Sequence, residues 1–308
     1  MALAHEKIMK TKIFFISLCV LAAVGIGFLI YPNIADYINS KNNETVISNY
    51  NTSTQTMSDE EINNELAKAQ NFNELLAKSA LNDEEKDEYN AAMSEYENIL
   101  NYDDIMCTIE IPKINVDLPV YHDSTREEKL KKGCVHLANT SLPVGGASTH
   151  AVISAHSGYP EQVFFDELDK LQIGDTFKIN VLNKTLTYKV CEINIVDPDD
   201  SSKLEIENGK DYVTLVTCYP YSINTHRLCV RGERVEDTIT DTATADEVIS
   251  NKSNRVYTWW DLVYFSALLC FLMFVIYVFR GSPFYPFKAI KEWTIAKIKW
   301  IRRLLKQK

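Results

Sequence analysis

The segment TLVTCYPYSINTHRLCVRGERV, residues 214–235, decides the fold and points to the chemistry. Here an apolar strand ends in Cys218, turns through Pro220 and returns as a strand with Arg227 near its start. A separate apolar stretch, HAVISAH, ends in the same way at His156. Active groups are expected where a strand gives way to a loop, because the strand fixes geometry and the loop gives access. These strand ends therefore mark candidate site residues.

The three side chains are suited to acyl transfer. A cysteine attacks as its thiolate, and a nearby imidazolium lowers the thiol pKa from about 8.5. An arginine fork can stabilise the oxyanion that develops during attack. No acid lies beside His156 or Cys218 in the sequence to complete a triad, and the structural alternatives stay open: a buried small thiol, a turn histidine and a solvated arginine. His156, Cys218 and Arg227 are the candidate catalytic residues.

Around this segment, residues 105–236 predict a single β domain. Short alternating or apolar stretches recur, with turn residues between them and few helical patterns. The main ones are IMCTIEIPKINVDLPVYH, HAVISAH, DTFKINVLN, TLTYKVCEINIV, DYVTLVTC and HRLCVRGERV. Such regular spacing predicts a mostly β fold, a closed antiparallel β-barrel. Short helices are expected at residues 126–132 and 164–171.

The N-terminal part of the outer segment, residues 32–104, predicts a polar linker followed by acidic helices. Residues 37–57 are rich in Asn, Ser and Thr without periodicity, which is typical of a linker. Ser58 with Glu61 makes a capping box, the signature of a helix start. Helix-forming composition then continues to about residue 100 with a break near Asn82, so we expect an N-terminal helical hairpin.

Two charge-free apolar runs, residues 13–30 and 262–279, approach the roughly 20 residues that cross a bilayer. They predict transmembrane helices at 13–31 and 262–279, with a polar linker at 237–261 before the second. A cleaved signal peptide is the alternative for the first run. The tail, residues 280–308, holds nine basic residues and one acid. Basic flanks stay inside, so residues 1–12 and 280–308 are expected to be cytoplasmic and the domain between the spans extracellular.

Charge excludes one class of partner for the segment between the spans. Without the three basic residues before the first run and the nine after the second, 20 of 32 remain. Setting aside Glu6 and Glu292 leaves 40 of 42 acids. So acidic a segment repels nucleic acid. No cysteine has C-x-x-C or metal-ligand spacing, and no metal or cofactor is predicted; the remaining cysteines of this segment are expected to pack as hydrophobes: Cys107, Cys134, Cys191 and Cys229.

The decisive segment resembles the signature of sortases, the membrane-anchored transpeptidases of Gram-positive bacteria, which reads T-L-x-T-C followed by a strand with arginine. It is most similar to class C, the pilin-polymerising group, with a pattern close to T-L-V-T-C-T-P-Y-G-I-N-T-H-R-L-L-V-R-G. Other blocks also match that group: EIPKINVDLPVYH, TSLPVGG, THAVISAHSGYP and FFDELDKLQIGD. The resemblance covers about residues 106–235.

The resemblance implies a role for each candidate residue. Cys218 would attack the Thr carbonyl of an LPxTG-like sorting signal, His156 would sustain the thiolate and protonate the leaving amine, and Arg227 would hold the substrate backbone or the oxyanion. A lysine of the next pilin subunit would resolve the thioester, without a metal. Two alternatives remain: a sortase that anchors surface proteins to cell-wall peptide, and a non-catalytic membrane adaptor that binds sorting signals.

Several residues depart from the class C pattern. The Asp-Pro-aromatic motif of the class C lid is absent between Ser58 and Ile105, which predicts an open site. Ala155 replaces the usual glycine of the histidine block. Tyr219 and Ser222 replace small residues after the cysteine. Finally, Cys229 stands where the group has leucine.

Overall fold

A computed structural model describes residues 2–78 and 83–235, together with positions 266 and 271. Its helices are α1 (Ala2–Gln55), α2 (Asp59–Ala77), α3 (Asp83–Ser94) and α4 (Arg126–Lys129). Its strands are β1 (Cys107–Ile111), β2 (Val116–Tyr121), β3 (Cys134–His136), β4 (Thr149–Ser154), β5 (Thr176–Val181), β6 (Lys184–Val196), β7 (Asp211–Tyr219) and β8 (His226–Arg234). The described residues between positions 32 and 235 belong to one compact unit, which contains the barrel.

The eight strands close into a barrel in the order β1-β2-β3-β4-β7-β8-β6-β5, which confirms the mostly β prediction. The prediction of an antiparallel barrel is wrong at two ladders, because β2 with β3 and β4 with β7 are parallel. Parallel neighbours need a crossover connection. The β5–β6 hairpin belongs to the crossover between β4 and β7, and side-chain alternation is the same for both pairing directions.

The barrel interior is close-packed around aromatic rings of β5 and β6. Phe177 and Tyr188 are fully buried and stack with their centroids 5.6 Å apart. Gly232 of β8 lies against them so tightly that a Cβ would come within 2.6 Å of the Phe177 ring. Only glycine fits there without displacing the ring.

The predicted polar linker is wrong, because α1 continues through residues 37–55 as helix. Tyr50 explains its position. The side chain is fully buried, its hydroxyl donates to the Met106 carbonyl at 3.2 Å and accepts from the Leu182 N–H at 2.8 Å. Weak helix formers such as Asn, Ser and Thr each destabilise a helix by only a few tenths of a kcal/mol relative to alanine. Tertiary packing overrides that cost.

The N-terminal helical hairpin is present. Ser58 and Glu61 form the predicted capping box at the start of α2. The two acidic helices contact each other through Phe72 and Tyr89, whose ring centroids are 6.3 Å apart. One face of α2 is buried in the main core, and its residues there include Ile62, Leu66, Ala69 and Phe72.

A buried amide joins α2 to the barrel. Asn73 is 3% exposed, and its Nδ2 donates to the Leu142 carbonyl at 3.0 Å. Its Oδ1 accepts from the Leu142 N–H at 2.7 Å, so one side chain satisfies both backbone groups. A backbone group that loses its partner inside a protein costs about 1–3 kcal/mol.

Replacing Asn73 with leucine is therefore expected to lower the free energy of unfolding by about 1–3 kcal/mol, because the Leu142 N–H loses its partner, whereas the Leu142 carbonyl keeps the N–H of Val144 at 2.8 Å. Urea unfolding measures this loss. Asn71→Leu is the matched control, since Asn71 is exposed on the same helix and makes one long hydrogen bond of 3.4 Å. Equal effects of the two substitutions would contradict the role of the amide pair.

Of the two apolar runs predicted to span a membrane, the structure describes the first and almost none of the second. In the described part of the chain no single helix meets the length and hydropathy needed to cross a bilayer, whereas Val20–Phe28 and Ile30–Gln55 meet them jointly across a 40° bend. The predicted linker at 237–261, the second span at 262–279 and the basic tail at 280–308 lie outside the described residues, apart from positions 266 and 271.

Candidate active site

The structure brings the cysteine and the arginine together on adjacent strands. In the antiparallel ladder of β7 and β8, Cys218 lies directly opposite Arg227. Residues opposite each other share a face of the sheet, with their Cβ atoms about 4.5–5.5 Å apart. Both residues are partly exposed. The cysteine and the arginine therefore share one face at a partly exposed edge of the barrel.

The parallel ladder of β4 and β7 brings the histidine to the same edge. Ser154 pairs with Val216, and the Ala155 N–H donates to the Val216 carbonyl at 3.1 Å. The Thr217 hydroxyl donates to the Ala155 carbonyl at 2.9 Å, which extends the contact beyond the strand. His156 directly follows Ala155, and Cys218 directly follows Thr217. The three candidate residues thus converge at one end of β4, β7 and β8.

Arg227 is tied to its own turn. Its Nη1 donates to the Asn224 carbonyl at 3.3 Å and to the His226 carbonyl at 3.0 Å. These bonds hold the guanidinium at the start of β8. A fixed donor fork next to a thiol is an arrangement that can stabilise an oxyanion.

His156 lies in an aromatic environment with charges nearby. Its ring stacks on Tyr159, with centroids 5.4 Å apart and planes 8° apart, and Phe164 packs at 6.3 Å. Burial lowers the pKa of His156, the Asp166 carboxylate raises it, and the Lys131 ammonium lowers it. Asp166 was missed at the sequence level, because a search beside His156 in the chain does not find an acid that a folded-back loop supplies.

A small apolar cluster lies beside the cysteine on one face of the sheet. Val152, Val216 and Cys229 form a small buried cluster, against which Leu137, Val196 and Leu204 pack. Val216 precedes Cys218 by two residues, so both side chains lie on the same face of β7. The candidate thiol therefore adjoins an apolar floor.

The segment between β6 and β7 is pinned beside this floor by a buried arginine. Arg231 is 8% exposed and donates to Glu207 at 2.9 Å and to the Lys203 carbonyl at 2.7 Å. Its guanidinium also packs over the Tyr212 ring at 5.0 Å. Leu204, next to Lys203, is thereby held against the apolar cluster.

The other cysteines have different surroundings. Cys229 is 3% exposed and burial raises its pKa to about 11, which confirms the prediction that it packs as a hydrophobe. Cys107 and Cys134 are fully buried, and burial raises the pKa of each. The same prediction is wrong for Cys191, which is exposed, because a register shift between Val190 and Glu192 interrupts the strand there. Within the described residues, no three His, Cys, Asp or Glu side chains are grouped as a metal site requires.

The turn after Cys218 is built without glycine. Ser222 and Asn224 both adopt left-handed backbone angles, each with φ of 63°. Asparagine tolerates that conformation, whereas serine does so at a cost. The Tyr221 ring lies over Gly158, where a Cβ would be 3.5 Å from it. The turn therefore contacts the loop that follows His156.

Comparisons with known proteins agree with this geometry. The family model described as "Sortase domain" matches residues 109–235. Sortase D of Bacillus subtilis (strain 168) is 31% identical over 130 residues, which cover 41% of this chain and 62% of that protein. The chain thus spans about three fifths of that relative's length.

Solved structures extend the likeness over almost the whole of the matched chains. Sortase C1 of Streptococcus agalactiae, solved as a complex with MTSET, is 40% identical with a TM-score of 0.55, and the match covers 61% of this chain and 93% of that one. The pilus-related Sortase C of Group B Streptococcus is 38% identical with a TM-score of 0.53, and the match covers 61% of this chain and 96% of that one. By sequence, by fold and by the strand ends that carry the cysteine, the histidine and the arginine, this chain belongs to the sortase family.

Proposed function

We propose that the protein is a cysteine transpeptidase that cleaves an LPxTG-like sorting signal and joins the acyl group to a lysine of a pilin subunit, so that pili are polymerised. The observation that carries the proposal is the direct pairing of Cys218 with Arg227, with His156 alongside at the end of β4. Further support comes from the similarity to sortases of the C type, including a pilus-related one, over more than nine tenths of those chains.

The proposed reaction has two steps. In the first, the Cys218 thiolate attacks the carbonyl carbon of the Thr–Gly bond, and Arg227 stabilises the oxyanion. The C–N bond breaks, and the glycine amine leaves with the proton of the His156 imidazolium. In the second, the lysine amine attacks the thioester and gives its proton to His156, while the thiolate departs. One peptide bond is exchanged for one isopeptide bond.

The apolar floor beside Cys218 supports a substrate that presents an aliphatic side chain. Leu137, Val196 and Leu204, which are partly exposed, pack on the buried cluster of that floor. Binding sites combine such apolar surface with a few placed polar groups. The leucine of a sorting signal fits this chemistry, and Arg227 offers donors to the peptide backbone.

The test is a competition between acceptors. The full-length chain is incubated with a sorting-signal peptide and either a pilin subunit or a glycine peptide that mimics the cell-wall acceptor. We expect mass spectrometry to detect an acyl adduct on Cys218 and an isopeptide product on a pilin lysine. Product with the glycine peptide alone would replace polymerisation by surface-protein anchoring. Peptide binding without any adduct would favour the non-catalytic adaptor.

We also infer that the barrel lies outside the cell and is held at the membrane by spans 13–31 and 262–279, with residues 1–12 and 280–308 inside. The inference rests on the two charge-free runs and the basic tail. In intact cells, an added protease should cleave the domain between the spans and spare a tag on the C-terminus. Cleavage of the tag would contradict this topology.

A further inference from the structure

The loop that carries His156 is closed on itself by one carboxylate. Asp166 Oδ1 accepts from the Gly158 N–H at 2.9 Å, and its Oδ2 accepts from the Phe164 N–H at 2.9 Å. The Phe165 N–H donates to the His156 carbonyl at 3.0 Å, which closes the same loop. Hydrogen bonds to an ionised acceptor are about twice as strong as neutral ones. Asp166 therefore fixes both sides of this loop.

These bonds also place the rings that hold the imidazole. Tyr159 directly follows Gly158 and stacks on the His156 ring, with planes 8° apart. Phe164, whose N–H is bound by Asp166, packs at 59° to the same ring. Asp166 binds the N–H of Phe164 and the N–H of Gly158, the residue before Tyr159, and so helps to place both rings. The orientation of the His156 ring therefore depends on that carboxylate.

The charges around His156 give Asp166 a second effect. Burial lowers the pKa of His156, the Asp166 carboxylate raises it, and Lys131 lowers it. Other ionisable groups at this edge include Cys218 of β7 with Arg227 and His226 of β8, and Asp36 of α1 accepts from the Val163 N–H of the same loop at 3.0 Å. A negative charge near an imidazole favours its protonated form. Asp166 thus opposes the effect of burial.

We propose that Asp166 is a positioning residue for transpeptidation: its carboxylate holds the loop that orients the His156 ring and supports the imidazolium through space. This inference rests on the proposed function. Asp166 acts through His156 and not on the sorting signal, so its loss should lower kcat and leave KM little changed. A purely structural role would change stability without moving the pH profile.

The test compares Asp166→Asn with Asp169→Asn in the full-length chain. Both remove one negative charge, and Asp169 is exposed three residues further along. We expect Asp166→Asn to lower kcat by about 10- to 100-fold, the scale of a small misplacement at a reacting group. The titration of His156, followed by NMR with ¹³C-labelled histidine, should move to lower pH. Lys131→Gln should move it to higher pH.

Equal kcat values and an unmoved His156 titration in Asp166→Asn and Asp169→Asn would overturn the proposal. If Asp166→Asn does not fold, Asp166→Glu keeps the charge but displaces the carboxylate. The kcat of Asp166→Glu should fall while the titration of His156 stays at its wild-type pH. An unchanged kcat would overturn the orienting role. The NMR titration does not depend on turnover. A wild-type chain without any acyl adduct would remove the proposed function, and the titration would still report on Asp166.

Discussion

Replacing Cys218 with alanine is expected to abolish both cleavage of the sorting signal and transfer to an amine, with a loss of at least about 10³-fold in kcat/KM. In the proposed reaction the thiolate forms the covalent intermediate, so its removal takes away the step on which both products depend. Peptide cleavage followed by chromatography and intact-mass detection of the acyl adduct measure the loss.

The chain supplies a matched control on the neighbouring strand. Cys229 lies diagonally across from Cys218, opposite Val216, but it is buried in the apolar cluster. Cys229→Ala is expected to keep turnover close to the wild-type value and to lower the free energy of unfolding by about 1 kcal/mol, the scale of a small cavity. If Cys229→Ala were as inactive as Cys218→Ala, the assignment of the nucleophile would be wrong.

Mild acid is expected to destabilise the folded domain before its carboxylates titrate. Three histidines are almost fully buried, and burial lowers the pKa of each: His122, His136 and His150. His136 shows why the neutral form is required. Its Nε2 donates to the Ser141 carbonyl at 2.8 Å, so its Nδ1 accepts the hydrogen bond from the Tyr96 hydroxyl at 2.9 Å.

The sign follows from comparing the folded and unfolded states. The pKa of His136 falls from 6.5 to about 4 on folding, so the unfolded chain binds the proton more tightly. Stability is complete above pH 6.5 and is lost as the pH falls toward 4. Between pH 7.5 and 5 we expect His136 alone to cost about 2 kcal/mol, with His122 and His150 acting in the same direction.

Urea unfolding at several pH values between 7.5 and 5 measures this slope. His136→Gln should lower stability at pH 7.5, because it disturbs the pair of hydrogen bonds, but it should flatten the dependence on pH. His226→Gln is the control, since the His226 side chain is 46% exposed. A slope that His136→Gln leaves unchanged would show that other groups cause the acid sensitivity.

Local sequence patterns predicted the pieces of this site better than their arrangement. Cys218, Arg227 and His156 stand at strand ends because each follows or begins an apolar stretch, and that is visible in the sequence. Alternation does not reveal which strands are neighbours or whether they run parallel. The parallel pairing of β4 with β7, which brings His156 beside Cys218, was therefore not predicted from alternation.

Tertiary packing explains the other differences. The residues before Ser58 have the composition of a linker, but burial of Tyr50 between Met106 and Leu182 continues the helix to Gln55. The exposure of Cys191 follows from a register shift between Val190 and Glu192, which the residue types there do not predict. The acid near His156 came from a loop that folds back.

The strand order has a consequence for the order in which the protein becomes active. Among the described residues β8 is the last strand, yet it lies between β7 and β6 and completes the ring. Chains emerge from the ribosome N-terminus first. A nascent chain that has not reached Arg234 therefore has its thiol but lacks the complete strand that positions the guanidinium. Under the proposed reaction, a chain that ends before β8 lacks the oxyanion donor and is therefore expected to be inactive.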